Sequence, residues 1–290
     1  MKKRNLLCIL VIVLCVGAFI GYRMLDAMRT DTRPPEIQVS EGVLEASVQE
    51  PKSALTRGMT ATDREDGDVT DSLVVESIGI LGSNGTVSVT YAAFDAAGNV
   101  AKAQREVRFT DYRSPRFVLE EPLIYTYNSN FDVLRTVGAQ DVLDGDIQHR
   151  VRAMTMEESS ITVTGIHQVQ FQVSNTLGDT HTQIFPVEVL AANAYDAQLT
   201  LTDYLVYLPV GSAFNPNVYL DCYTLRGEET MLEGRLPQDF SLKTKGTVQV
   251  QQPGTYVVEY RLTYTDRHPT NSDLDKEYVG YSKLIVVVEG

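Results

Sequence analysis

The sequence predicts an all-β protein in which three tandem antiparallel β-sandwiches follow one N-terminal transmembrane helix. Three observations carry this prediction. An apolar run lies directly behind a basic N-terminus, and the rest of the chain repeats its landmarks about every eighty residues. Between the landmarks, apolar and polar residues alternate with a period of two, which is typical of half-buried antiparallel strands. We therefore expect a membrane segment at residues 1–30 and domains at 31–111, 112–191 and 192–290.

The N-terminal segment has the composition of a membrane-inserting helix. Lys2, Lys3 and Arg4 precede an uncharged run from Leu6 to Tyr22, which ends at Arg23. A basic segment before an apolar run is the signature of a secretory signal or a signal anchor. The run is close to the lower limit of about 17 residues for a spanning helix. We expect a retained single-pass anchor with a cytoplasmic N-terminus and extracellular domains, because basic residues favour the cytoplasmic side.

Cleavage of this segment after Ala18 is the alternative, because Val16 and Ala18 are small enough for a signal peptidase, and it would yield a secreted protein. Only Cys222 lies beyond the apolar run, so the exported part cannot close an internal disulfide. We expect Cys222 to be a buried small hydrophobe. A thiol that pairs with another chain is the less common alternative.

Three landmarks occur twice in the same order and at nearly the same spacing, which indicates a tandem duplication. The first is an aspartate followed by a proline and an apolar residue, the second is an Ala-x-Asp-x-x-Asp-Gly-Asp run, and the third is a glycine-led strand. The matching pairs are Asp31 to Ile37 with Asp111 to Phe117, Ala61 to Val69 with Ala139 to Ile147, and Gly85 to Tyr91 with Gly165 to Phe171.

The third copy is divergent. Pro253 to Tyr260 (PGTYVVEY) repeats the glycine-led strand, and Leu284 to Val288 (LIVVV) resembles the closing strands of the other copies. It contains no Asp-Gly-Asp run, and a polar stretch from Asp266 to Glu277 interrupts it. We still expect a sandwich here, because alternation continues through the glycine-led strand.

The landmarks resemble the bacterial Ig-like repeats of surface proteins, the DUF5011 or Cry22Aa-type Ig-like family, which is similar in character to HYR modules. The first copy matches this pattern at Pro35, Ile37, Ala61, Asp63, Asp66, Gly67, Asp68, Val69, Thr70, Gly85, Val89, Tyr91, Ala93, Asp95, Gly98 and Asn99. The second departs from it at Asn175, and the third keeps only the later strands. The resemblance implies Ig-like sandwiches that serve as spacers, stalks or binding modules in exported bacterial proteins, and it names no ligand.

Charge and motif content exclude several function classes. The chain has 25 Lys+Arg against 38 Asp+Glu, a net charge of −13, which argues against a nucleic-acid partner because phosphate binding needs a positive surface. The four histidines show no metal-binding spacing, and no phosphate-loop or nucleophile motif occurs. We therefore expect a protein that is not an enzyme.

Acidic residues of the first copy are candidate Ca²⁺ ligands. Asp63, Asp66 and Asp68 lie close together, and Asp95 and Asn99 lie on a later turn. Oxygen-rich loops of this kind can hold Ca²⁺, which takes six to eight oxygen ligands. The more common explanation is turn chemistry, in which Asp and Asn side chains accept hydrogen bonds from backbone N–H groups. The EF-hand spacing is absent.

Tyrosine is the one abundant residue type that can mark a ligand surface, because its ring stacks on sugars and anchors interfaces. The chain has 15 tyrosines. The candidates in the divergent third domain are Tyr204, Tyr207, Tyr219 and Tyr223. Core packing is the more common role of tyrosine in sandwiches.

The leading hypothesis is a membrane-anchored, non-enzymatic bacterial surface protein. Its three repeats, stacked end to end, would form an acidic stalk that presents the third domain as an interaction module. One alternative is a carbohydrate or cell-wall glycan binding protein that uses the third domain. Another is a membrane-tethered protein partner of an envelope enzyme or export complex.

Overall fold

The computed structural model divides the chain into two compact units, Met1–Tyr112 and Arg113–Gly290. Apart from an N-terminal helix and short helical turns, the described chain consists of strands and loops, which confirms the all-β prediction. The structure describes residues 12–24, 31–155, 163–192, 194–232, 235–270 and 272–290. The division into three domains stays a prediction.

The N-terminal helix, α1, covers residues 12–24 and exposes most of its apolar side chains, such as Val13 and Phe19. Within the described ranges, no helix combines the length and the hydropathy that a bilayer crossing requires. The predicted anchor runs from Leu6 to Tyr22, and its residues 6–11 lie outside the described residues.

The described part of the first unit forms two sheets, one with strand order β1-β3-β4 and one with order β2-β7-β6-β5. Short 3-10 helices at Lys52–Thr56 and Thr70–Ser72 connect them. The strands are β1 (Glu36–Val39), β2 (Leu44–Ala46), β3 (Met59–Asp63), β4 (Gly67–Asp68), β5 (Val74–Leu81), β6 (Val87–Phe94) and β7 (Val100–Phe109).

Alternation along β6 builds the core of the first unit. Val87, Val89 and Tyr91 are buried, because successive side chains of a strand point to opposite faces. The Tyr91 hydroxyl donates a hydrogen bond of 2.9 Å to the backbone oxygen of Leu55, so this buried phenol is satisfied. The sequence periodicity therefore locates the inner face correctly.

The second repeat has the same two-sheet arrangement, with strand orders β8-β10-β11 and β12-β13-β14-β9. A one-turn helix, α2 (Val133–Thr136), and a 3-10 helix at Gln148–Arg150 lie between its strands. The strands are β8 (Arg116–Leu119), β9 (Ile124–Thr126), β10 (Val137–Asp141), β11 (Gly145–Asp146), β12 (Arg152–Thr155), β13 (Gly165–Ser174) and β14 (Thr180–Leu190).

Three phenylalanines join the two sheets of the second repeat. Phe117 of β8 packs edge-on against Phe171 of β13 and Phe185 of β14, with ring centroids 6.3 Å and 5.7 Å apart. All three side chains are fully buried. Edge-to-face contacts between facing sheets are the packing of a β-sandwich core.

The third repeat forms one seven-stranded sheet with order β18-β17-β15-β21-β20-β19, in which β16 also pairs with β21. Short 3-10 helices lie at Pro216–Tyr219 and Ser272–Leu274. The strands are β15 (Ala197–Leu201), β16 (Leu205–Pro209), β17 (Leu220–Leu225), β18 (Glu228–Met231), β19 (Phe240–Lys245), β20 (Gly254–Asp266) and β21 (Lys276–Glu289).

Several strand pairs are parallel, whereas the sequence pattern predicts antiparallel sheets throughout. The parallel pairs are β2 with β7, β9 with β14, and both β15 and β16 with β21. In the first two repeats, the opening strand pairs in one sheet and the following short strand pairs with the last strand of the other sheet. Side chains alternate with a period of two in either sheet, so the sequence pattern does not show that the chain changes from one sheet to the other.

The second and third repeats pack side by side within the second unit. One hydrophobic cluster runs through both repeats. The Tyr207 hydroxyl bonds the backbone N–H and oxygen of Phe117 at 3.1 Å and 3.3 Å, and the Lys283 ammonium pairs with Glu188. The expected end-to-end stacking is therefore wrong for these two repeats. Side chains that face outward from β14 and β21 form the contact, and a half-buried strand pattern does not show which partner covers that face.

Candidate functional site

The turn between β3 and β4 is organised by Asp63, which is only 8% exposed. Its Oδ1 accepts hydrogen bonds from the backbone N–H groups of Glu65 and Asp66, at 2.7 Å and 2.9 Å. The Asp66 carboxylate in turn accepts the N–H of Ala96 at 2.8 Å. This last bond ties the β3–β4 turn to the β6–β7 turn.

The β6–β7 turn is organised by Asp95, which is also 8% exposed. Its two carboxylate oxygens accept the backbone N–H and the side-chain amide of Asn99, each at 2.7 Å. The same Asn99 amide donates to the backbone oxygens of Asp31 and Arg33, at 3.2 Å and 3.3 Å. Asn99 therefore holds the start of the first repeat against this turn.

The hydrogen bonds around Asp95 keep it ionised. Burial raises the pKa of this carboxyl, but bonds from the Asn99 side chain and from the backbone N–H groups of residues 97–99 outweigh burial. The net pKa lies below the ordinary value of 3.8. At neutral pH the side chain carries a full negative charge, because hydrogen bonds to the charged form favour it.

Three carboxylates meet where these turns approach the beginning of the repeat. One carboxylate oxygen each of Asp31, Asp63 and Asp95 lies within 4.8 Å of those of the other two. Among the described residues, no ion pair involves any of them. Oxygen donors alone, with negative charge, suit a hard cation such as Ca²⁺.

The cluster differs from the set of candidate ligands that the sequence suggests. Asp63 and Asp95 are brought together as expected. The Asp66 carboxylate accepts an N–H group of the β6–β7 turn. Asp68 is exposed and accepts the N–H of Thr70 at 3.0 Å. Asn99 uses its side-chain amide as a hydrogen-bond donor. Turn chemistry, the more common explanation for such residues, therefore accounts for Asp66 and Asp68.

Asp31 is the member of the cluster that the sequence analysis did not select. It stands in the first repeated landmark, directly before the opening strand, and is distant in sequence from both turns. The available signal was that the landmark repeats with its aspartate at residue 111. That signal pointed to a role for the position without identifying its spatial partners.

The second repeat builds the same two turns from a different set of side chains. Asp141 Oδ1 accepts the N–H groups of Leu143 and Asp144, at 2.9 Å and 3.0 Å. Asn175, which stands where the first repeat has Asp95, donates its side-chain amide to Asp141 Oδ2 at 3.0 Å. Asp111, the counterpart of Asp31, bonds Ser47 in the first unit. An amide therefore stands in this turn where the first repeat has a third carboxylate.

The tyrosines proposed as a ligand surface do not form an open face. Tyr204 and Tyr223 are 7% and 1% exposed and belong to the core, and Tyr207 lies in the contact between the second and third repeats. Tyr219 packs against Phe214, with ring centroids 6.0 Å apart. The ligand-surface prediction is therefore wrong for Tyr204, Tyr207 and Tyr223, since inward alternation in the sheet takes the first and last into the interior.

Burial also holds these phenols neutral. It raises the pKa of Tyr207 to about 12 and that of Tyr223 to about 12. Both hydroxyls bond backbone oxygens, Tyr223 that of Tyr278 at 2.9 Å and Tyr207 that of Phe117 at 3.3 Å. They act as structural hydrogen-bond donors, as is usual for buried tyrosine.

Cys222 is buried in β17, with 7% of its surface exposed. Its sulfur lies 3.8 Å from the Thr224 hydroxyl. The interpretation as a small buried hydrophobe agrees with this position, and a buried thiol is poorly placed to pair with another chain.

Comparisons with known proteins give structural similarities only. No family model and no curated protein matches the chain. The chain aligns with the extracellular domain of protocadherin γB4 (9% identity, TM-score 0.19, 88% of this chain and 43% of that one). It aligns with Drosophila N-cadherin EC1-3 (10%, 0.30, 89% and 90%) and with a Clostridium perfringens ZmpB fragment containing CBM51-2 and INT domains (16%, 0.21, 88% and 44%).

The chain spans less than half the length of the first and third of these structures. All three TM-scores lie at 0.30 or below.

Proposed function

We propose that this chain is a non-enzymatic bacterial surface protein, whose β-repeats hold an interaction surface away from the membrane. The observation that carries the proposal is the joint between the second and third repeats. Lys283 is 4% exposed and pairs with Glu188 across the joint, and Tyr281 donates to the same carboxylate at 3.0 Å. Separating a buried ion pair leaves an uncompensated charge and strongly destabilises the protein. The pair therefore favours one arrangement of the two repeats.

A fixed contact between the second and third repeats suits a protein that presents an interaction surface in one orientation. Two repeats that share one hydrophobic cluster separate only at the cost of exposing it. The acidic charge of the chain keeps such a surface soluble and discourages non-specific association. The spacer and stalk uses that the resemblance implies fit this construction.

We place the repeats outside the cytoplasm and the N-terminal segment in the membrane. Support comes from Lys2, Lys3 and Arg4 in front of the apolar run. Further support comes from the exposed apolar side chains of α1, for example Val13 at 64% and Phe19 at 64%. Apolar side chains exposed all around a helix are stable in lipid and costly in water.

The location is tested by protease treatment of intact cells that express the full chain with a C-terminal epitope. We expect the repeats to be digested from outside and the protein to sediment with membranes. The variant Val13→Arg places a charge in the apolar run and should keep the chain inside the cell. A wild-type chain that is digested only after lysis would contradict the proposal. The mass of the mature chain decides between a retained anchor and cleavage after Ala18.

The alternative of glycan binding through the third repeat is tested with the aromatic side chains that are only half-buried there. Tyr264 and Tyr278 stack with ring centroids 6.4 Å apart, and the Arg226 guanidinium lies 5.0 Å from the Tyr278 ring. Full-length protein in detergent is sedimented with cell-wall sacculi, and Tyr278→Ala is compared with the control Tyr127→Ala in the second repeat. Binding that only Tyr278→Ala reduces would favour glycan recognition. Absence of binding directs the search to protein partners.

A further inference from the structure

The carboxylates of Asp31, Asp63 and Asp95 come from three separated parts of the first repeat. Asp31 precedes β1, Asp63 ends β3 and Asp95 follows β6. The fold therefore brings like charges to within 4.8 Å of one another, and two of the three residues are more than nine-tenths buried. Like charges that are close and shielded from water repel one another unless a positive charge stands among them.

Two carboxylate oxygens at this place lack hydrogen bonds within the described chain. Asp31 Oδ2 is shielded from solvent and has no donor. Asp63, which is 92% buried, uses only Oδ1 for the turn, and its Oδ2 accepts no hydrogen bond from the described residues. Buried polar atoms nearly always have a partner, so the unpaired Asp31 Oδ2 beside two further carboxylates points to a cation-binding role.

The second repeat shows how the same turn is completed without a cation. Asp141 Oδ2, the counterpart of Asp63 Oδ2, accepts the amide of Asn175 at 3.0 Å. The first repeat has the acceptor Asp95 at the position of that donor. The backbone turns are alike in both repeats. The N–H groups of Gly98 and Gly178 donate to the backbone oxygens of Asp95 and Asn175, at 3.2 Å and 3.1 Å. The difference therefore lies in the side chain and not in the loop.

We propose that the first repeat binds one Ca²⁺ ion between Asp31, Asp63 and Asp95. The donors are oxygens only, which selects a hard cation over Zn²⁺. Three carboxylates from irregular loops suit the flexible coordination of Ca²⁺ better than the strict octahedron of Mg²⁺, and water would complete the shell. The inference does not depend on the proposed function.

Binding would join the start of the repeat to its two acidic turns. At present the Asn99 amide holds residues 31 and 33 through their backbone oxygens. A cation would add Asp31's side chain to this attachment, and it would remove the repulsion among the three carboxylates. We therefore expect Ca²⁺ to raise the melting temperature of the first unit and to slow amide exchange in segments 31–35, 63–66 and 95–99.

The test uses the full chain in detergent, stripped with chelator, and titrated calorimetrically with CaCl₂ and separately with MgCl₂. We expect one Ca²⁺ per chain, with a dissociation constant of roughly 10⁻⁴–10⁻³ M or tighter, the range of low-affinity calcium modules, and at least about tenfold weaker Mg²⁺ binding. No heat of binding up to about 10 mM Ca²⁺, or Mg²⁺ binding as tight as Ca²⁺ binding, would overturn the proposal.

The decisive variant is Asp95→Asn, which gives the first repeat the side chain that the second repeat has in this turn. We expect it to lose Ca²⁺ binding by at least about tenfold. In chelator its melting temperature should stay close to that of wild type, because the amide can bond Asp63 and one charge is gone, whereas the bond that Asp95 Oδ2 accepts from the Asn99 amide is lost. A cooperative melt in chelator shows that the variant is folded. The control Asp68→Asn changes an exposed carboxylate nearby and should bind Ca²⁺ as wild type does.

Hydrogen exchange provides the second readout. In wild type, added Ca²⁺ should protect segments 31–35, 63–66 and 95–99 and leave the matching turn of the second repeat, 141–144, unchanged. In Asp95→Asn it should change none of them. Ca²⁺ protection that is equal in both variants, or protection confined to the second repeat, would place the ion elsewhere and contradict the assignment.

Discussion

The first two repeats fold their acidic turns in the same way and complete them with opposite chemistry. In both, an aspartate at the end of a strand accepts two backbone N–H groups, Asp63 in one and Asp141 in the other. The second repeat then adds an amide donor, Asn175, whereas the first adds the carboxylate of Asp95. The comparison separates what the turn needs for folding, which both repeats have, from what only the first repeat has.

This difference assigns two roles to similar residues. Hydrogen bonds to backbone N–H groups stabilise the turn whether or not an ion is present. Asp95 also accepts the backbone N–H of Asn99, but its carboxylate and that of Asp31 add charge repulsion beside Asp63. A ligand-binding role therefore attaches to the group of three carboxylates, which the second repeat lacks because Asn175 replaces Asp95 and Asp111 bonds Ser47.

The largest effect is expected when the second repeat receives the side chain of the first. In Asn175→Asp, a carboxylate would face Asp141, and both positions are more than nine-tenths buried. We expect a loss of about 3 kcal/mol in the free energy of unfolding, because a buried hydrogen bond is replaced by like charges. Urea unfolding at neutral pH in chelator, followed by hydrogen exchange of second-repeat peptides, measures this.

The control adds Asp141→Asn to Asn175→Asp, so that one amide again faces one carboxylate. The oxygen at position 175 that accepts the N–H groups of Leu177 and Asp179, both at 3.0 Å, is kept in either variant. The double variant should therefore recover most of the loss. If it is as unstable as Asn175→Asp alone, charge repulsion has no role in the contrast between the repeats.

A smaller and equal effect is expected at the glycines of the two turns. Gly98 and Gly178 both have positive φ, at 87° and 74°, which side chains rarely adopt. We expect Gly98→Ala and Gly178→Ala each to destabilise its own repeat by about 1 kcal/mol. Hydrogen exchange measured during thermal unfolding reports the stability of each repeat separately. A cost more than about twofold larger in one repeat would show that the loops differ in backbone as well as side chains.

Sequence patterns predicted the strands and inner faces because these follow local rules. Alternation of Val87, Val89 and Tyr91 gave the buried face of β6, and the repeated Asp-Gly-Asp runs gave the matching β3–β4 and β10–β11 turns. Such features depend on neighbours one or two residues away. They were accessible without any knowledge of the tertiary contacts.

The remaining features depend on contacts between distant residues. Asp31 joins Asp63 and Asp95 only because β1 lies beside β3, and Tyr207 is covered only because the second repeat lies against the third. The alternating sequence around a tyrosine in a strand is the same whether solvent or another repeat covers its ring. For this reason the sequence located the acidic turns but missed one member of the cluster.

The smallest expected effect concerns acid stability and the carboxylate that bridges the two turns of each repeat. Asp66 accepts the N–H of Ala96, whereas Asp144 accepts the N–H and hydroxyl of Thr176 and pairs with Arg150 at 2.6 Å. Burial raises the pKa of Asp144, but these bonds and the Arg150 charge outweigh burial and lower it below 3.8.

A carboxyl with a lowered folded-state pKa binds its proton less readily when folded than when unfolded. Its stabilising contribution is therefore complete above its ordinary pKa near 3.8 and is lost as the pH falls from there through the folded value. Asp144→Asn should cost about 0.5–1 kcal/mol at neutral pH, since solvent screens Arg150, and the difference from wild type should shrink below about pH 3.8. The control Asp66→Asn removes no ion pair. A difference for Asp144→Asn that stays constant from pH 7 to pH 3 would show that the bridge acts through shape rather than charge.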